Sequence, residues 1–155
     1  MISFDYLENH PQIIPELSKI WEETIGKIWA PEESIENVKA WFSGHNNSER
    51  LPLALIAFDG AQHIGMCSLR MHAHVRSDLS PWLGSLAVTA QYQGRGIGQQ
   101  LIEAIKAKAK QMDFATLHLC TYDKTLPDWY AQLGWQKIGE AQCGCHPVTV
   151  MKITL

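Results

Sequence analysis

Between Trp82 and Met112 the chain passes from an apolar run, WLGSLAVT, through QYQGRGIG into a stretch where Ile97, Leu101, Ile105 and Met112 recur at helical spacing. That succession constrains the fold more than any other feature. The first run is rich in strand formers, and the recurrence after the turn predicts a helix beginning near Ile97. Gly94, Gly96 and Gly98 join the two elements. Glycine adopts backbone conformations closed to other residues and lets backbone N–H groups approach a ligand closely. A helix N-terminus adds N–H groups without internal partners and a partial positive charge, so the turn has the makings of an anion site suited to a pyrophosphate. It is neither a P-loop, because no Gly-Lys-Ser/Thr follows, nor the dinucleotide GxGxxG pattern, because these glycines read GxGxG.

The remaining pattern supplies the surroundings. ISFDYL (2–7) reads as a strand. Pro11 and Pro15 open a helix carrying Ile13, Leu17, Ile20 and Trp21, and Pro31 opens a second that ends near Gly44. LPLALIAF (51–58) and HIGMCSLRMHAH (63–74) read as a hairpin about Asp59-Gly60. ATLHLCTYD (115–123) is a strand, LPDWYAQLG (126–134) a short helix closed by Gly134, and WQKIGE (135–140) and VTVMKITL (148–155) two final strands. The order β-α-α-β-β-β-α-β-α-β-β predicts an α+β fold, a mixed α/β layout around one sheet, in a single domain spanning 1–155.

Composition excludes several classes. At 155 residues and 46% hydrophobic, the chain is no disordered polymer. It has no apolar run of about 18 residues, so no membrane span is expected. Its start, MISFDYLENHP, lacks the basic and apolar regions of a signal peptide, which makes cytoplasmic the expected location. A net charge of −3 argues against nucleic acid as partner. Residues 1–50 hold nine acids against four bases, and the rest seven against nine; the acidic part is suited to a cationic acceptor. Cys67 and Cys120 read as buried small hydrophobes. Cys143-Gly144-Cys145-His146 has no second cluster to complete a zinc site, so no metal is expected. His10, His45 and His63 read as exposed, His118 as structural, and Lys106, Lys108 and Lys110 as a solvated face.

Leu86-Ala87-Val88, then Gln93-x-x-Gly96-x-Gly98 and an amphipathic helix, resembles motif A of the GNAT N-acetyltransferase superfamily. The segment Asp123–Trp135 is similar to a second family element, with Tyr130, Gly134 and Trp135 at its Tyr, Gly and aromatic positions. The resemblance covers essentially the whole chain. It implies a central, mostly antiparallel mixed sheet with splayed middle strands, acetyl-CoA as co-substrate, and direct acetyl transfer to a primary amine of a small molecule or peptide, with room for a homodimer. It further implies that Leu86, Ala87 and Val88 bind the pantetheine arm, and that Gln93, Gly94, Arg95, Gly96, Ile97 and Gly98 wrap the pyrophosphate. Val88's N–H would polarise the thioester, and Tyr130 would protonate the leaving thiolate. The family often carries a Glu or His base at the positions of Gly84 or Trp82, and neither residue here can act as a base. His74 and Asp78, with His72 and His146 behind them, are the candidate bases, and a water chain to solvent is the alternative to them. The alternative functions are a non-catalytic acyl-CoA-binding module and a protein that binds another nucleotide at the glycine turn.

Overall fold

In the computed structural model, which describes residues 1–155, the elements run β1 (Ile2–Tyr6), α1 (Ile14–Trp21), a one-turn α2 (Lys27–Trp29), α3 (Ile35–Ser43), β2 (Leu53–Asp59), β3 (Gln62–Arg70), β4 (Trp82–Val88), α4 (Ile97–Gln111), β5 (Thr116–Thr121), α5 (Leu126–Gln132), β6 (Gln136–Cys143) and β7 (His146–Thr154). The strands form one sheet in the order β1-β2-β3-β4-β5-β7-β6. All neighbours are antiparallel except β4 and β5, which are parallel and share a single pair, Trp82 with His118. This matches the α+β, splayed-sheet expectation.

The apolar run of β2 is continuous because helices cover both faces of the sheet. Ala54, Ile56 and Phe58 join Leu17 of α1 and Val38 and Phe42 of α3 in one core. Leu53, Leu55 and Ala57 point the other way, into a core with Leu101, Ile102 and Ile105 of α4 and Tyr130 of α5.

Several boundaries differ from the sequence reading. The first helix does not end at Gly26; it widens to a π-helical segment over Glu22–Gly26 and continues into α2. Glycine is needed there, since a Cβ would lie 2.5 Å from the Trp21 ring. The second helix starts not at Pro31 but at Ile35, where the Ser34 side chain accepts the Asn37 N–H as an N-cap. The hairpin strand stops at Arg70, which pairs with Trp82, so His72 and His74 lie in the loop beyond it. Cys143-Gly144-Cys145-His146 is the β6–β7 turn, with Cys143 paired to His146 and Gly144 at φ +60°. No group of three His, Cys, Asp or Glu residues is arranged to hold a metal.

Two expected surface residues are buried. Lys108 is 7% exposed, its ammonium 5.3 Å from the Tyr6 ring centre and bonded to Gln111 at 3.3 Å. Its stem crosses the helix to cover the sheet edge while the charge finds an aromatic face. His45 is 2% exposed: its Nδ1–H donates to the Trp41 carbonyl at 2.9 Å, and Nε2 is sealed without a partner. His118, by contrast, is the structural residue expected. Its Nδ1–H donates to the Pro81 carbonyl at 3.0 Å.

Burial, reinforced by the charge of Arg70, pushes the His45 imidazole down to about 4, despite the hydrogen bond to Trp41. Below pH 6.5 the unfolded chain therefore binds a proton that the folded chain refuses, and stability drops as pH falls from about 6.5 to about 4, by up to about 1.4 kcal/mol per pH unit. Asp5, Asp59, Asp78 and Asp123, all lowered by hydrogen bonds, lose their contribution only below about pH 4. Urea unfolding between pH 7 and 4.5 should show this slope in the parent and a flatter one in His45→Gln; equal slopes would exclude His45 as the source.

Candidate functional site

The divergence of β4 from β5 creates the site. Beyond Trp82 and His118 the two parallel strands separate, so one edge of β4 has no strand partner. The Thr89 N–H donates to Ile64 of β3 at 2.9 Å. Backbone groups alternate sides along a strand, so the Val88 N–H and C=O face the gap. The Val88 carbonyl receives the Gln93 side-chain amide at 2.9 Å, which clasps the turn to the end of β4.

A bulge re-aims this edge. On β3, Met66 pairs with Ala87 and Ser68 with Gly84, so Ser85 and Leu86 together oppose Cys67. Ser85 stands at φ +50°, a costly conformation for a residue with a Cβ. The one signal of the bulge in the sequence is a glycine, Gly84, inside a strand.

Gly94 and Gly96, at φ +77° and +80°, turn the chain so that Gly96 caps α4 without any side-chain acceptor for the first N–H groups. A Cβ on either glycine would meet open space, so their requirement is conformational. Gly98, inside the first turn, faces Trp129 and Val88, whose nearest atoms would be 3.9 and 4.0 Å from a Cβ. The Arg95 guanidinium sits over the Tyr92 ring at 4.7 Å, and the Tyr92 hydroxyl donates to Asp59 at 2.7 Å. The turn thus presents free helix N–H groups, one stacked cation and no acid in the first turn of α4.

Tyr130 of α5 is 6% exposed, edge-on to Trp129 and Trp135, and its hydroxyl has no hydrogen bond within the protein. Burial, with Cys67 and Cys120 nearby, holds the phenol well above its ordinary range, so it is a proton donor at any physiological pH.

A cleft of about 900 Å³ lies beside the bulge, and Ser85 of β4 and Cys120 of β5 border it where the strands part. Trp21, Trp29, Trp41 and Trp82 wall it. Trp82 is buried and bonded to the Leu79 carbonyl at 2.8 Å, so it serves both core and wall. His74 and His146 reach this cleft, as do two residues the sequence reading did not single out, Arg70 and Glu33. Asp78 does not reach it. It is exposed and forked onto Arg76 at 2.8 and 2.9 Å, which holds its carboxyl below the usual range, so this base candidate is withdrawn. His72 is outside the lining too. Asp123 spends its carboxylate on the Thr125 N–H and hydroxyl, at 2.8 and 2.7 Å, just ahead of α5.

The family described as acetyltransferase (GNAT) domain matches residues 52–137, more than half of the chain. The chain belongs to the GNAT acetyltransferase family. A curated relative, N-alpha-acetyltransferase 80 of Mus musculus, is 30% identical over 99 residues, which is 61% of this chain but only 31% of that protein, so the chain spans about a third of the relative's length. Among solved structures, the ribosomal-protein-S18-alanine N-acetyltransferase of Escherichia coli superposes with TM-score 0.73 at 17% identity, over 99% of this chain and 94% of that one. An aminoglycoside 6'-N-acetyltransferase complexed with coenzyme A gives the same TM-score and identity over 99% and 96%. At these identities the structural likeness establishes the GNAT fold alone.

The glycines of the GNAT turn separate in the absence of any ligand. Gly96→Ala must adopt a left-handed conformation and should lose about 1–2 kcal/mol of unfolding free energy. Gly98→Ala gains helix propensity in an open position and should be neutral or more stable by up to about 1 kcal/mol. Urea melts of the two variants check this; equal destabilisation would mean that the turn conformation is misassigned.

Proposed function

We propose that the chain is an acetyl-CoA-dependent N-acetyltransferase acting on a primary amine. The observation that carries this reading is the unpaired edge of β4 ending in an uncapped helix N-terminus, with a buried, protonated tyrosine near Cys67 of β3 and Cys120 of β5. The open space over Gly94 and Gly96 and the unpaired Val88 amide suit a pyrophosphate followed by an extended arm. When bound, acetyl-CoA supplies the activated acyl group.

The residues then divide the work. The N–H groups after Gly96 and the Arg95 guanidinium bind phosphate oxygens. The arm extends along Leu86–Val88. The Val88 N–H polarises the thioester carbonyl, where a fixed donor outside bulk water acts strongly. The amine adds to that carbon, the C–S bond breaks, and Tyr130 donates its proton to the departing sulfur. The amine's own proton leaves through the cleft, with His74 the first candidate to accept it and His146 the second. His146 is wedged edge-on between Trp29 and Tyr122, whereas His74 is exposed and unencumbered.

An acyl-CoA-binding module without turnover is the second reading, and the absence of a base at Gly84 favours it. Release of free thiol from acetyl-CoA in the presence of an amine panel decides between the two.

Acetyl-CoA should raise the melting temperature of the parent, while ATP and NAD should not. Gly98→Val, narrowing the gap between Val88 and Trp129, should abolish that rise in a folded protein; an undiminished rise would refute the assignment. Tyr130→Phe should lower kcat at least several-fold, toward the low end of the ~10²–10⁴-fold typical of general-acid help, because a thiolate is already a fair leaving group. Acetyl-CoA affinity and melting temperature should stay nearly constant. Activity lost in proportion to stability would instead mark Tyr130 as a packing residue.

A further inference from the structure

Arg70 is the unexplained group of the cleft. It ends β3, and its guanidinium lies over the Trp41 ring at 5.4 Å and against Gly84 of β4. A Cβ on Gly84 would collide with Nη2 and lie 2.8 Å from Cζ and 3.0 Å from Nε. The position where relatives often carry a base is therefore filled from the neighbouring strand by a cation.

That cation has no counter-charge. It makes no salt bridge and no hydrogen bond, and its Nε is sealed from solvent without an acceptor. The titratable groups near it are the thiols of Cys120, Cys67 and Cys143, which burial keeps protonated and uncharged, and the His45 imidazole, which burial keeps neutral. Glu33 is the one carboxylate of the lining, and it is exposed and accepts Asn37 at 2.6 Å. Arg70 is half-buried, and a guanidinium drawn partly out of water with one sealed, unmet donor is unfavourable until an acceptor completes it.

Building on the N-acetyltransferase reading, we propose that Arg70 binds a carboxylate of the acceptor, so that the substrate is an amine bearing a carboxylate a few bonds away. Arg70 is the only Lys or Arg of the cleft, which matches a singly charged carboxylate and not a phosphate dianion. The planar guanidinium fork fits two carboxylate oxygens, with Trp41 holding its face. Gly84 adjoins Ser85, where the cleft meets the β4–β5 gap, so carboxylate and amine must lie close together. A free amino acid and a peptide N-terminus with an acidic first residue both meet this description. Of the nine acids among residues 1–50, which pointed to a cationic acceptor, Glu33 alone lines the cleft.

The test compares matched acceptors with acetyl-CoA: free glutamate against glutamine amide, an Asp-initiated tripeptide against its Asn counterpart, and spermidine. In the parent, the carboxylate member of a pair should have kcat/KM about 10–100-fold above its neutral partner. The pair that discriminates identifies the source as amino acid or peptide. In Arg70→Gln that ratio should collapse toward one, with Arg70→Lys between, while acetyl-CoA still raises the melting temperature of both variants. A parent that prefers the neutral partners or spermidine, or a ratio unchanged in Arg70→Gln, overturns the proposal. A readout independent of turnover separates it from failure of the enzyme reading. N-acetylglutamate or the N-acetylated Asp-initiated tripeptide should stabilise the parent against melting and not Arg70→Gln. Absence of that difference also overturns the proposal, whereas its presence in a protein without turnover rejects the enzyme reading and leaves the carboxylate site standing.

Discussion

One backbone constraint organises the molecule: β4 and β5 run parallel but touch at a single pair. The contact is pinned on one side, where both the backbone and the ring N–H of His118 donate to Pro81, at 3.1 and 3.0 Å, and Trp82 packs on the His118 ring with centroids 5.6 Å apart. Beyond it nothing pairs the strands. An open strand edge inside a sheet normally invites another strand. Here the helices on either face and the clasp of Gln93 on Val88 leave room for an extended chain of another kind, not another strand. The bulge at Ser85 turns the edge at the point where β4 borders the cleft.

Three basic side chains are drawn out of water, His45 and Lys108 fully and Arg70 in part, and each meets the cost differently. His45 gives up its proton. Lys108 keeps its charge over an aromatic ring, with Gln111 as hydrogen-bond partner and Glu49 at 3.8 Å. Arg70 keeps its charge beside an indole with no acceptor at all. Since low-dielectric surroundings make an unpartnered ion expensive, the exception is found where a ligand can complete it. The same guanidinium depresses His45, so the electrostatics of the cleft reach into the core under α3.

How much of this was legible depends on the range of the forces involved. The turn at Gly94–Gly98 is specified by backbone conformations that only glycine adopts easily, and α4 by periodicity within its own 15 residues. The two-sided burial of β2 was readable from a run of apolar residues without alternation. The start of α3 was misplaced because proline at 31 opens a turn, while the capping chemistry belongs to Ser34. His74 was assigned to a strand because the apolar pattern of β3 continues past Arg70, although its pairing with Trp82 ends there. Exposure of His45 and Lys108 was misread because both are polar in sequence, whereas His45 folds back onto Trp41 and Phe42 at the end of α3 and Lys108 is covered by Tyr6 of the distant β1.

The sequence by itself determined the local features on which the acetyl-CoA reading rests. Its glycines, its helix start and the tyrosine helix are local features, set by φ/ψ limits and short-range hydrogen bonds. It also marked Gly84 as a place where an expected base is missing. Only the tertiary structure decided the lining of the cleft. Which side chain fills the space over Gly84, whether Asp78 faces the cleft or Arg76, and whether a guanidinium finds a partner all depend on strand register and burial between segments far apart in the chain. Those are sums of long-range packing and desolvation, and no local pattern of residues encodes them.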